Sequence, residues 1–73
     1  MALVMYIKPG CPYCRKARDF YTENNVAFTE YDAENDEARK REMLAFSDGD
    51  PTVPCIVEDG IYVASGWGKP PRG

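Results

Sequence analysis

Apolar residues run almost unbroken from Ala2 to Ile7, rich in β-formers, which is the pattern of a strand covered on both faces. Lys8-Pro9-Gly10 interrupts that run as a loop at the carboxyl end of a strand does. From Pro12 to about Asn24 there is no Gly and no further Pro. Over that stretch Cys14, Ala17, Phe20, Tyr21 and Asn24 recur at helical spacing, with Arg15, Arg18 and Glu23 on the other side. This predicts a helix with one apolar face, stopped at Asn24-Asn25. Val26 to Tyr31 alternates apolar and polar residues, predicting a second strand. Asp32-Ala33-Glu34-Asn35 supplies capping residues, and Asp36 to about Ser47 reads as a second helix with Met43, Leu44 and Phe46 gathered at its end. Asp48-Gly49-Asp50-Pro51 is a turn by composition. Thr52 to Glu58 reads as a β-branched strand, Asp59-Gly60 as a hairpin turn and Ile61 to Ala64 as the returning strand.

The resulting order is β-α-β-α-β-β, an α/β pattern. A helix between the first two strands makes a right-handed parallel unit, and the hairpin adds two antiparallel strands, for a four-stranded mixed sheet covered by the helices. Neither repeats nor a linker divide the 73 residues, so one domain, 1–73, is expected, with 66–73 as an irregular tail rich in Gly and Pro. No apolar run is long enough to span a bilayer, and residues 1–7 are too short for a signal-peptide core. The expected setting is cytoplasmic, with no membrane partner.

Charge sharpens this picture. The net charge is −3, yet residues 1–20 carry Lys8, Arg15, Lys16 and Arg18 against Asp19 alone. Nine acids face Arg39, Lys40 and Arg41 over residues 21–50, and the last third balances. An acidic total disfavours nucleic acid as a partner. Lys16 and Arg18 taken singly read as solvated helix charges, although the basic quarter as a whole surrounds the most reactive residues of the chain.

Those residues are Cys11 and Cys14, in Cys11-Pro12-Tyr13-Cys14 at the start of the first predicted helix. Unpaired backbone N–H groups and the positive end of the helix dipole favour a thiolate there. Cys11 is the expected nucleophile, and Cys14, one turn further in, the thiol that closes a bridge onto it. Pro12 suits a first turn, where its missing N–H is not needed. Three cysteines, at 11, 14 and 55, do not form a structural disulfide framework. With no histidine in the chain, three thiolates fall short of the four ligands of a zinc site, so no metal is expected. Cys55 reads as a buried small hydrophobe, with a third redox thiol, paired with Cys11 or linking two chains, as its alternative.

Tyr6-Ile7-Lys8-Pro9-Gly10-Cys11-Pro12-Tyr13-Cys14 and Thr52-Val53-Pro54 together resemble the two hallmark segments of the glutaredoxin branch of the thioredoxin fold. The resemblance covers about residues 3–66. It implies a thioredoxin-like fold and a thiol–disulfide oxidoreductase that reduces glutathione mixed disulfides or protein disulfides through Cys11 and Cys14. No cofactor is bound in such an enzyme, and glutathione is its co-substrate. The Val53-Pro54 bond is implied to be cis, presenting the Val53 backbone to the cysteine pair. By the same resemblance Lys8 meets a glutathione carboxylate, Tyr13 flanks the sulfur, Thr52, Val53 and Pro54 line the groove, Arg41 meets the glycyl carboxylate, and Gly66 belongs to the same glutathione-binding set.

The chain also departs from the family pattern. Gly66 stands where two glycines and then acidic residues usually follow the fourth strand, but Trp67 comes next. The acidic clamp for the glutathione amino group is missing from this stretch, and the usual C-terminal helix is expected to be absent, baring apolar surface. Trp67 is expected to fold back as a partial plug or to serve a dimer contact. The segment Ser65-Gly66-Trp67-Gly68-Lys69-Pro70 is similar to the tail of NrdH-type redoxins, which take electrons from a reductase flavoprotein, thioredoxin reductase, and pass them to ribonucleotide reductase. Two further readings are a dimeric iron–sulfur glutaredoxin and a non-catalytic interaction protein using the bared sheet face. A monomer or weak dimer is expected.

Overall fold

The computed structural model describes residues 2–68, 71 and 72. Strand β1, Leu3–Ile7, lies inside a four-stranded sheet of order β2-β1-β3-β4 and is flanked on both sides. That is why its residues are apolar without alternation. Leu3 and Met5 join one core cluster, while Val4 and Tyr6 join the cluster on the opposite face. Helix α1, Pro12–Glu23, leads into β2, Thr29–Asp32, which pairs parallel with β1 from Val4↔Thr29 to Ile7↔Asp32. Helix α2, Glu37–Phe46, follows, and then the antiparallel hairpin of β3, Cys55–Glu58, and β4, Ile61–Ser65.

Both helices are capped by the residues that precede them. The Cys11 sulfur accepts from the Cys14 N–H at 3.3 Å, and the Asp36 carboxylate accepts from the N–H groups of Ala38 and Arg39. α1 ends where Asn25 takes a φ of 57° and the Val26 N–H returns to the Tyr21 carbonyl. The hairpin turns through Asp59 and Gly60, both at positive φ, the geometry that Asp-Gly favours. Asp59 also reaches the chain's beginning: its N–H donates to the Ala2 carbonyl at 2.8 Å, and its carboxylate accepts from the Ala2 N–H at 2.7 Å.

Two strands start later than their sequence pattern suggests. Val26 and Phe28 are not paired strand residues; they turn their side chains onto the α1-side cluster of Leu3, Met5, Ala17 and Ile56, and pairing with β1 begins only at Thr29. β3 begins at Cys55 rather than Thr52, because the Thr52 N–H is held by the Asp50 carboxylate at 2.9 Å and Pro54 has no N–H to give.

On the other face Tyr6, Met43, Val57 and Cys55 are buried together. Above them the Tyr6 hydroxyl donates to Glu42 at 2.9 Å, and Arg39 pairs with Glu42 while lying 3.7 Å from the centre of the Tyr31 ring. Burial, and then this bond to a carboxylate, push the Tyr6 hydroxyl up to about 12. Met5 and Met43 are each enclosed almost completely, so truncating either to Ala would cost about 2–5 kcal/mol.

The α1 face is less complete. Trp67 packs against Phe20 and Tyr21 with ring centres 5.5 and 5.7 Å away, held by two backbone bonds between Trp67 and Arg72. It is thus the partial plug, leaving a hollow of about 500 Å³ walled by Phe20, Ile56, Val63 and Trp67 among others. Gly66 permits this clasp, since its φ is 90° and a Cβ there would stand 2.9 Å from the Arg72 nitrogen. None of the helices among the described residues is long and apolar enough to cross a membrane.

Candidate active site

The loop after β1 brings the cysteines to the amino end of α1. Gly10 takes a φ of 77°, a conformation that favours glycine, and the Cys11 N–H closes the turn onto the Lys8 carbonyl at 3.3 Å. Pro12 occupies the first helical turn. Cys11 is half-buried and Cys14 is 2% exposed. Burial is the main reason the Cys14 thiol is pushed far above its ordinary value; its contact with the Cys11 sulfur adds to this, and Arg18 pulls the other way.

Two hollows reach Cys11. The outer cleft, about 360 Å³, is lined by Lys8, Cys11, Tyr13, Thr52 and Val53 together with Glu34 and several prolines. The inner one, about 300 Å³, lies behind the cysteine turn and adds Cys14, Arg15 and Arg18. Cys11 lines both hollows, Cys14 only the inner one. The Val53-Pro54 peptide bond is cis, and Val53 lies on the cleft wall while Pro54 is fully enclosed behind it.

The structure therefore gathers Lys8, Cys11, Tyr13, Thr52 and Val53, with Cys14 behind them. It does not bring Arg41 or Gly66 to the cleft. Arg41 is exposed on α2, because Arg39 and Met43 occupy the inward face of that helix and a residue two positions from each points the other way. Gly66 lines the apolar hollow, and its N–H is already given to the Pro54 carbonyl at 2.9 Å.

Arg18 differs from the solvated charge its sequence suggests. It is half-buried and donates twice to Glu30, at 2.8 and 2.7 Å. Lys16 is exposed, 5.3 Å from the centre of the Tyr13 ring. Cys55 has no exposed surface, and burial raises its thiol as well; it is the small core residue and cannot reach a second chain. Glu34 was not singled out by the sequence pattern, which reads residues 32–35 only as a cap. The parallel pairing of β2 with β1 carries it to the cleft, since the loops after two neighbouring parallel strands emerge side by side. Among the described residues no three Cys, Asp or Glu side chains gather as a metal site would require.

A sheet of order β2-β1-β3-β4 with a Cys-x-x-Cys turn capping its first helix and a cis-proline beside it defines a dithiol protein of thioredoxin-like fold. Comparison with known proteins narrows the class. The glutaredoxin family profile matches residues 3–63. Glutaredoxin 1 of Rickettsia conorii is 36% identical over 62 residues, which cover 84% of this chain and 61% of that protein. The chain thus spans about three-fifths of that relative's length. The solution structure of glutaredoxin from Brucella melitensis aligns with a TM-score of 0.72 at 29% identity, covering 89% of this chain and 70% of that one. The crystal structure of the buckwheat glutaredoxin–glutathione complex shares the fold, with a TM-score of 0.73 at 20% identity over 86% of this chain and 59% of that one. The chain belongs to the glutaredoxin family.

Proposed function

We propose that this protein is a thiol–disulfide oxidoreductase acting on glutathione mixed disulfides and protein disulfides, with Cys11 as nucleophile and Cys14 as resolving thiol. The observation that carries the reading is the unequal placement of the two sulfurs. Cys11 faces an open cleft from a helix amino terminus, whereas Cys14 is enclosed one hydrogen bond behind it. The Cys11 thiolate attacks a disulfide R–S–S–R′, forming a Cys11–S–S–R bond and releasing R′–S⁻, which takes up a proton. Where R is glutathionyl, a second glutathione thiolate attacks that sulfur, displaces the Cys11 thiolate and leaves as glutathione disulfide. In the dithiol route Cys14 attacks instead, R–S⁻ departs, and the Cys11–Cys14 disulfide awaits two electrons from a reductant.

Lys8 supplies a charge for a substrate carboxylate, Tyr13 borders the sulfur, and Thr52 and Val53 form the wall along which an extended peptide lies. Buckwheat glutaredoxin, which has the same fold, is solved with glutathione, and this supports glutathione as the co-substrate. With limiting iodoacetamide and mass spectrometry, Cys11 is expected to be alkylated before Cys14 and Cys55. Preferential labelling of either buried thiol overturns the assignment.

A second electron source is favoured by a specific observation. Arg41 lies outside the cleft lining and Gly66 lines the apolar hollow instead, so two of the residues that the resemblance assigns to glutathione are not beside Cys11. Reduction of the Cys11–Cys14 disulfide by thioredoxin reductase, as in NrdH-type redoxins, is the alternative. Turnover of bis(2-hydroxyethyl) disulfide coupled to glutathione reductase and glutathione in one assay, and to thioredoxin reductase in another, decides between them. NADPH consumption only in the second makes the flavoprotein the electron donor.

A further inference from the structure

Of the two hollows that reach Cys11, the inner one holds Lys8, Arg15 and Arg18 and no acid, while the outer one holds one cation, Lys8, and one carboxylate, Glu34. Glu34 is stationed there by its loop. The Asp32 carboxylate accepts from the Glu34 N–H at 2.9 Å, the Asn35 N–H at 3.0 Å and the Asn35 side-chain amide at 2.9 Å. The bonds from Asn35 hold the Asp32 carboxyl below its usual range. Ala33 ties the same loop to the end of β1, its N–H donating to the Ile7 carbonyl at 2.9 Å next to Lys8. The ion pairs among the described residues are Arg18–Glu30 and Arg39–Glu42, so neither Lys8 nor Glu34 is neutralised by a partner there. A carboxylate drawn to Lys8 therefore enters a cleft that already contains one.

Resting on the exchange reading above, we infer that Glu34 is a specificity-determining residue. Set against the attraction of Lys8, it reduces the cleft's preference for a disulfide that brings a carboxylate beside the reacting sulfur, to the relative advantage of one that is neutral or cationic there, as an internal peptide segment is. Specificity of this kind comes from repulsion of the wrong partner as much as attraction of the right one. The effect is electrostatic, so it fades as salt screens the cleft.

The test is a single-turnover experiment on the reduced native chain, with formation of the Cys11 disulfide followed by acid quench, alkylation and mass spectrometry. The probes are the mixed disulfides of 2-mercaptoethanol with glutathione and with each of its two monoamides, together with uncharged bis(2-hydroxyethyl) disulfide. Whichever carboxylate Lys8 holds, one of the monoamides removes it. The rate of that monoamide relative to the glutathione probe is expected to be about threefold higher in the native chain than in Glu34→Gln at low salt, the size of one partly screened surface interaction. That difference between the two proteins should shrink at high salt, and Glu34→Asp should keep the native ratio. A ratio that is the same in the native chain and in Glu34→Gln overturns the inference, as does a difference between the two that is indifferent to salt. If bis(2-hydroxyethyl) disulfide reacts while the ratio ignores Glu34, this inference alone falls. If no probe reacts at Cys11, the exchange reading falls with it.

Discussion

Cys11 and Cys14 share one helical turn and a 3.3 Å hydrogen bond, yet they inhabit different surroundings. Cys11 belongs to the wall of the outer cleft, where Val53 and Thr52 stand opposite and a substrate sulfur can approach. Cys14 is enclosed with Tyr6, Met43 and Cys55, and this burial keeps its proton on. The difference teaches that chemical identity does not assign the roles of two thiols. A sequence spacing of three places both near the dipole, and the depth of the core then separates an attacking sulfur from a reserve one that acts only once its neighbour is engaged.

The sharpest way to break that comparison is to exchange the sulfurs for oxygens one at a time. Cys11→Ser is expected to lower the rate of disulfide exchange at least about a hundredfold, because a thiolate is the competent nucleophile. Cys14→Ser should still form the first mixed disulfide and fail only to release it intramolecularly. Stopped-flow mixing with a disulfide substrate, followed by mass analysis of the trapped species, checks both outcomes.

A second test uses pH. Burial raises the Cys14 thiol from its ordinary 9.0, so the folded chain retains a proton that the unfolded chain releases. The stability this contributes is complete below about 9 and declines as pH rises toward the folded value. Urea unfolding midpoints should fall over that range, and fall less in Cys14→Ala; an identical pH profile for the two proteins would sink the claim.

The smallest expected effect concerns the cation between the two environments. Arg18→Gln removes a half-exposed pair with Glu30 and should lower stability by about 0.5–1 kcal/mol. The Glu30→Gln change should add little once Arg18 is gone, as a double-mutant cycle would show.

Much of this arrangement is legible from residue order alone. The apolar run at Leu3–Ile7 marks the inner strand because burial on both faces leaves no polar position, and Asp59-Gly60 marks the hairpin because few other pairs accept positive φ twice. The cysteine turn is visible because Pro12 and Gly10 bracket it. What escapes the pattern depends on distant partners. The start of β3 is decided by the Asp50 carboxylate and by the missing N–H of Pro54. Arg18 resembles any exposed helix charge until β2 brings Glu30 beside it. Glu34 is a capping-loop acid until the parallel register of β1 and β2 lays its loop against the cleft. Arg41 lies outside the cleft lining through helix phase, which a run of three consecutive basic residues conceals.

The paired bonds between Ala2 and Asp59 act as an alignment key for the central strand. A slip of one residue along β1 would undo both and exchange the inward partners of Met5 and Tyr6, seating a thioether where a phenol meets Glu42. The far end of that strand carries the loop of Lys8 and Cys11, so a latch between Ala2 and the hairpin tip, 57 residues apart in sequence, determines where along its axis the reactive sulfur is delivered.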